Sequence, residues 1–160
     1  MSHLLKIVSA GFFALIIGLG LASPAAADVS IRDSVASDLY VREANPSVHQ
    51  LEKQFAAFWN PNIGMDPKIE VSYHGSSARP ALEMVMQQSK TMDFFSIQGR
   101  VVEGPTVSGD SLSVRVNGVM AGYPATTMTY YFVREGGLWK YDWKRICQEN
   151  QCSGDPDFGY

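Results

Sequence analysis

The stretch Tyr130–Cys147, YYFVREGGLWKYDWKRIC, decides the fold. Aromatic and β-branched residues run up to Arg134, Glu135-Gly136-Gly137 follows, and a second aromatic run begins at Leu138. Glycine accepts the positive φ that tight hairpin loops demand. The pattern therefore predicts two antiparallel strands, Thr126–Arg134 and Leu138–Ile146. In the second, Trp139, Tyr141 and Trp143 alternate with Lys140, Asp142 and Lys144. Such alternation predicts an aromatic comb on one face and a solvated charged face on the other. Charges of this kind also discourage stray strand pairing at a sheet edge.

Upstream, Leu112, Val114 and Val116 alternate with Ser113, Arg115 and Asn117, so Ser111–Asn117 is expected to be a half-buried strand. Phe94–Val102 is rich in aromatic and β-branched residues and predicts another. Gly104-Pro105, Gly109-Asp110 and Gly122 to Pro124 are expected to turn or interrupt the chain. Before Met92 the period becomes helical. Asn45-Pro46-Ser47 opens a helix, and Ser47 with Gln50 matches a capping box. Val48, Leu51, Phe55, Phe58 and Trp59 fall on one helical face, and Asn60-Pro61-Asn62 stops it. A second helical piece is expected from Asp66-Pro67 to about Tyr73, ending near Gly75. A third, capped by Ser76-Ser77, is expected around Pro80–Lys90, with Leu82, Val85 and Met86 inward. Helices followed by an antiparallel meander give an α+β domain, its N-terminal helices packed on one face of a curved antiparallel sheet. Asp28–Ala44 lacks clear periodicity and is expected to be a partly ordered arm.

Residues 1–27 have the composition of a secretory leader. Lys6 is the only formal charge before Asp28, Ile7–Ala22 is almost wholly apolar, and Ala25-Ala26-Ala27 follows Ser23-Pro24. Small residues there suit cleavage between Ala27 and Asp28. The rival is a retained membrane anchor, since Ile7–Ala27 approaches the roughly 20 apolar residues of a span. Pro24, the triple alanine and the lack of a flanking basic cluster favour cleavage and export. Cleavage leaves 133 of the 160 residues, enough for one core, with 12 Lys and Arg against 16 Asp and Glu. Mild acidity gives no electrostatic footprint for nucleic acid.

In an exported chain, Cys147 and Cys152 most simply form a disulfide that pins the tail 149–160. A loop so short stabilises by on the order of 2 kcal/mol. A redox pair or metal ligation is the alternative. Redox motifs favour C-x-x-C spacing, however, and only His49 and His74 remain in the mature chain to complete a metal site. No cofactor or metal is expected.

Tyr130–Cys147 resembles the last hairpin of nuclear transport factor two-like domains, a cone-shaped α+β fold shared with ketosteroid isomerases. The order of LEKQFAAFWNPN (Leu51–Asn62), the Lys68–Gly75 segment, RPALEMV (Arg79–Val85) and the hairpin is similar to the secreted low-molecular-weight antigen family of mycobacteria and other actinobacteria. The resemblance covers about Asn45–Gln148. It implies an exported domain at 45–148 and supplies no catalytic residues.

Phe55, Phe58, Trp59, Tyr130, Trp139, Tyr141 and Trp143 are the candidate pocket residues. Such aromatics either fill a core or wall an apolar pocket between sheet and helices. The expected partner is an apolar small molecule, a lipid or a cell-envelope protein, with no enzymatic role. An isomerase or dehydratase is the alternative. It would need a carboxylate base beside acid donors, and Asp93, Tyr73, His74 and Tyr130 or Tyr131 are on offer. A homodimer formed through the sheet is the third reading.

Overall fold

The computed structural model describes residues 29–87, 91–152 and 156–160. The leader and the Ala27–Asp28 cleavage site lie outside them. Helix α1 (Val48–Trp59) begins at the expected capping box. Ser47 Oγ accepts from the Gln50 N–H at 3.2 Å, and Gln50 Oε1 accepts from the Ser47 N–H at 2.9 Å. Leu51, Phe55 and Phe58 are buried along its inner face, while Val48 is exposed. Helix α2 (Met65–Glu70) is shorter than expected. Beyond it, Val71–Tyr73 takes extended hydrogen bonds: the Tyr141 N–H donates to the Val71 carbonyl and the Tyr73 N–H to the Tyr141 carbonyl, both at 2.9 Å. His74 takes a positive φ of 48°. Gly75 then starts helix α3 (Gly75–Gln87), a role opposite to the expected helix end.

Strands β1 (Gln98–Ser108), β2 (Ser111–Met120), β3 (Tyr123–Glu135) and β4 (Leu138–Tyr141) form one antiparallel sheet in chain order. The chain is α+β, with its N-terminal helices against the sheet. β2 runs past the expected Asn117 and β3 starts before the expected Thr126, and three further departures change the course of the chain. Phe94–Ser96 is a 3₁₀ turn, because the Asp93 carboxylate caps it by accepting from the Phe95 N–H. Strand β1 continues through Gly104-Pro105, where shifts of register absorb the irregularity. β1 lies at the sheet's edge, where a missing N–H is tolerated.

The third departure matters most. The last strand ends at Tyr141, and helix α4 (Trp143–Asn150) replaces its expected second half. Asp142 caps that helix, its carboxylate accepting from the Arg145 N–H at 3.2 Å. Trp143, Ile146 and Cys147 sit at helical spacing, so this segment satisfies a period of 3.6 as well as the alternation. The charged face dissolves accordingly: Lys140 pairs with Glu135 at 2.7 Å, Asp142 is the cap, and the Lys144 ammonium binds the Tyr160 carbonyl. Where β4 has ended, Asn150 completes the β3 edge, donating to the Thr129 carbonyl at 2.8 Å and accepting from its N–H at 3.0 Å.

The arm belongs to the core. Ile31, Leu39 and Val41 are buried. The Trp139 N–H donates to the Val41 carbonyl at 3.0 Å, and the Trp139 indole donates to the Glu43 carbonyl at 2.8 Å. Asn60 Nδ2 donates to the carbonyls of Ile31 and Ser34. At the other edge, the Glu52 carboxylate accepts from the Val101 N–H at 3.0 Å, satisfying one donor of β1.

On β1, a Cβ added at Gly99 would lie 2.4 Å from the Phe55 ring. That ring packs edge-on to Tyr130 at 5.6 Å and against Trp59 at 6.2 Å. Gly99→Ala is expected to lower stability by about 1–3 kcal/mol through overpacking, despite alanine's gain over glycine in a strand. Urea unfolding monitored by tryptophan fluorescence checks this; unchanged stability would show that Phe55 has room to shift.

Candidate functional site

Helices α1 and α3 face the inner side of the sheet, but the apolar side chains between them do not fill all the space. A cavity of about 510 Å³ is walled by Phe58 and Trp59 of α1, and by Leu82, Met84, Val85 and Met86 of α3. Met128 and Tyr130 of β3, Trp143, Ile146 and Cys147 of α4, then Cys152, Pro156 and Phe158 complete it. A second cavity of about 330 Å³ is lined by Phe55, Trp59, Val85, Met92, Phe94, Ile97, Gly118, Val119, Met120, Tyr123, Pro124, Thr126 and Tyr130. Trp59, Val85 and Tyr130 line both. Among the described residues, no charged side chain lines either one.

Five of the seven pocket candidates therefore reach a cavity: Phe55, Phe58, Trp59, Tyr130 and Trp143. Trp139 and Tyr141 do not. Both are fully buried in the core, Tyr141 stacking on Trp143 at 4.7 Å and packing against Phe132 at 4.6 Å. Sequence reasoning turned Met86 inward but named no methionine as a pocket residue. Met84, Met86, Met92, Met120 and Met128 all line these cavities. Their clustering in two short stretches was the available signal. Unbranched, polarisable thioethers adapt to ligands of different shape.

Burial pushes the Tyr130 hydroxyl well above the ordinary tyrosine range, while a hydrogen bond with the Trp59 side chain pulls the other way. Tyr130 is therefore neutral at physiological pH. Its polar contribution to the cavities is a hydroxyl dipole and no charge.

The acid–base candidates are dispersed. Asp93 is committed to its 3₁₀ cap. His74 packs against Tyr73 at 4.2 Å and Tyr160 at 4.9 Å. It lines a separate polar cleft with Glu70, Ser72, Glu135 and Lys140. Tyr131 lies under the Arg145 guanidinium at 4.0 Å. Neither Asp93 nor His74 lines a cavity that holds Tyr130.

Cys147 and Cys152 are disulfide-bonded, their Cα atoms 4.7 Å apart. The bond closes the end of α4, and the tail beyond it is held again by buried Phe158 and by Tyr160, whose hydroxyl accepts from the Lys144 N–H at 3.1 Å. Away from the cavities, Lys68 is fully buried with its ammonium 2.7 Å from the Asn60 carbonyl, the C-cap of α1. Desolvation lowers its pKa to about 8. Among the described residues, no three His, Cys, Asp or Glu side chains gather as a metal site. None of their helices is long and apolar enough to cross a membrane.

No curated protein and no solved structure matches the chain. The family model described as low molecular weight antigen MTB12, C-terminal domain, matches residues 44–157, which run from the end of the arm through the helices, sheet and disulfide, and the chain belongs to that family.

Proposed function

We propose that the protein is a secreted, non-enzymatic carrier or receptor domain that holds an apolar ligand between its helices and sheet. The observation that carries this reading is the pair of cavities, about 510 and 330 Å³, walled by methionine and aromatic side chains and with no charged side chain among the described residues that line them. Their volumes lie in the range of small-molecule sites, and an uncharged lining suits the apolar part of a ligand. Export through the leader, with cleavage after Ala27, would put that site outside the cytosol. The disulfide and the antigen family fit such a location. The three N-terminal helices over an antiparallel sheet also support a nuclear transport factor two-like cone.

Half-exposed Met84, Val119 and Tyr123 stand among the cavity walls, where an apolar partner from the cell envelope would make contact. A homodimer across the outer sheet face would have to cover polar side chains such as Arg115, which pairs with Glu103 at 2.9 Å. Light scattering reports that directly.

The test is titration of the purified mature domain with an uncharged apolar fluorophore such as diphenylhexatriene, together with native mass spectrometry of protein taken from its own host. Saturable one-to-one binding that quenches Trp59 and Trp143 is expected. No binding by the probe and no co-purified apolar molecule would overturn the proposal.

A further inference from the structure

Resting on that reading, we infer that the ligand is a single unbranched acyl or alkyl chain that runs through both cavities past the waist formed by Trp59, Val85 and Tyr130. Three features select this class. First, the space is divided. The two cavities have Trp59, Val85 and Tyr130 as a common wall, and Trp59 and Tyr130 are hydrogen-bonded, so an occupant of both must part or skirt these side chains. A chain one methylene wide can do so, whereas a fused-ring molecule is confined to one side. Second, the described walls carry no charge in either cavity, so the buried part of the ligand needs no ionic or strongly polar group. Any headgroup lies outside, and its chemistry is read weakly. Third, methionines stand on both sides of the waist, Met86 and Met128 in the larger cavity and Met92 and Met120 in the smaller. Flexible thioethers follow a chain whose path varies from one methylene to the next.

Gly118 supplies a means of testing the path. It lines the smaller cavity, and a Cβ built there meets only the Thr126 carbonyl, at 3.7 Å, which is ordinary contact. Gly118→Val therefore adds its methyls to the lining of the smaller cavity from a Cβ that has ordinary contacts. A β-branched residue also favours the strand, so the variant is expected to fold.

The experiment titrates the mature domain with octyl, decyl, dodecyl and tetradecyl maltosides below their micelle concentrations. The matching alkyl phosphocholines form a second series and a sterol a separate ligand, all followed by tryptophan fluorescence and calorimetry. Affinity is expected to rise about fourfold per added methylene across the maltoside series. The phosphocholine series should show the same slope. In Gly118→Val the gain should end at a shorter chain, with octyl binding preserved. If the sterol binds and the alkyl series does not, the chain inference falls while the apolar site stands. If alkyl affinity rises equally in wild type and Gly118→Val, the chain occupies one cavity and the two-cavity path is wrong. If neither alkyl chains, sterol nor diphenylhexatriene binds, the proposed function falls with it.

Discussion

Gly75→Ala is expected to cost about 3 kcal/mol of stability and to lower Tm by roughly 10 °C. The sign is not what helix propensity suggests, because alanine in place of glycine within a helix should stabilise by up to about 1 kcal/mol. Here the added Cβ would lie 2.0 Å from the Ile69 carbonyl oxygen. That oxygen is backbone, so no rotamer change relieves the clash, and the segments on both sides are held. Ile69 follows fully buried Lys68 on α2, and the same carbonyl accepts from the Ser72 N–H at 3.1 Å. Val71 and Tyr73 are tied to Tyr141 of β4. On the far side, the His74 carbonyl accepts from the N–H groups of Ser77 and Ala78 at the start of α3. Either α2 or α3 must move, and either movement disturbs the sheet edge. Gly118→Ala is the control, since its Cβ meets nothing closer than 3.7 Å. It should be neutral or mildly stabilising. Thermal and urea unfolding of the two variants checks the contrast. Equal effects would mean that the α2–α3 junction has slack.

Local chemistry made part of this architecture visible before the structure. Ser47 and Gln50 announce α1 because a capping box is confined to four consecutive residues, and both of its hydrogen bonds form. The Gly136-Gly137 turn was legible because both residues need positive φ, which they take at 59° and 76°. The turn joins β3 to β4 with Glu135 opposite Leu138. Asp142 misled because a strand-to-helix switch and a continued strand share the same apolar residues for five positions. The hydrogen bond from the Arg145 N–H to the Asp142 carboxylate and that from the Ile146 N–H to the Asp142 carbonyl separate them.

The arm was illegible for a different reason. Ile31, Leu39 and Val41 show no period of their own, and their burial depends on Asn60 and Trp139, far away along the chain. The same distance effect divided the pocket aromatics. Tyr130 and Trp143 face the cavities while Tyr141, in ring contact with both, is sealed in the core with its hydroxyl buried and without a hydrogen-bond partner among the described residues. The alternation of Trp139, Tyr141 and Trp143 was visible; what each side chain meets was not.

Lys68 was equally hidden, since a lysine on a short helix ordinarily points to water, and it leads to the second large effect. Its ammonium is fully buried, with the Asn60 carbonyl as its hydrogen-bond acceptor. The contact places a cation at the C-terminal end of α1, where the helix dipole and an orphan carbonyl favour it. Desolvation nevertheless dominates and lowers the folded-state pKa from 10.5 to about 8. In the unfolded chain the amine keeps its ordinary value. Between those two pH values the unfolded state binds more protons than the folded state, so stability rises with pH through that window. Below it the lysine is charged in both states and the full desolvation penalty opposes folding, on the order of 3 kcal/mol. Four tyrosines act with the opposite sign. Burial raises the pKa of Tyr130 and Tyr141, and that of Tyr160 to about 12, while the hydrogen bond to Glu70 raises that of Tyr40. Above pH 10 the unfolded chain ionises these hydroxyls while the folded chain holds their protons, so stability falls there. The wild-type profile should therefore rise above pH 8 and turn down near pH 10. Comparison with Lys68→Met removes the tyrosine contribution, which both proteins share. From pH 7 to pH 10 the unfolding free energy of wild type should gain about 2 kcal/mol relative to Lys68→Met. Urea titrations of the pair at half-unit pH steps measure that difference. A difference that stays constant across the window would mean that the buried amine keeps its ordinary pKa and that water reaches Lys68.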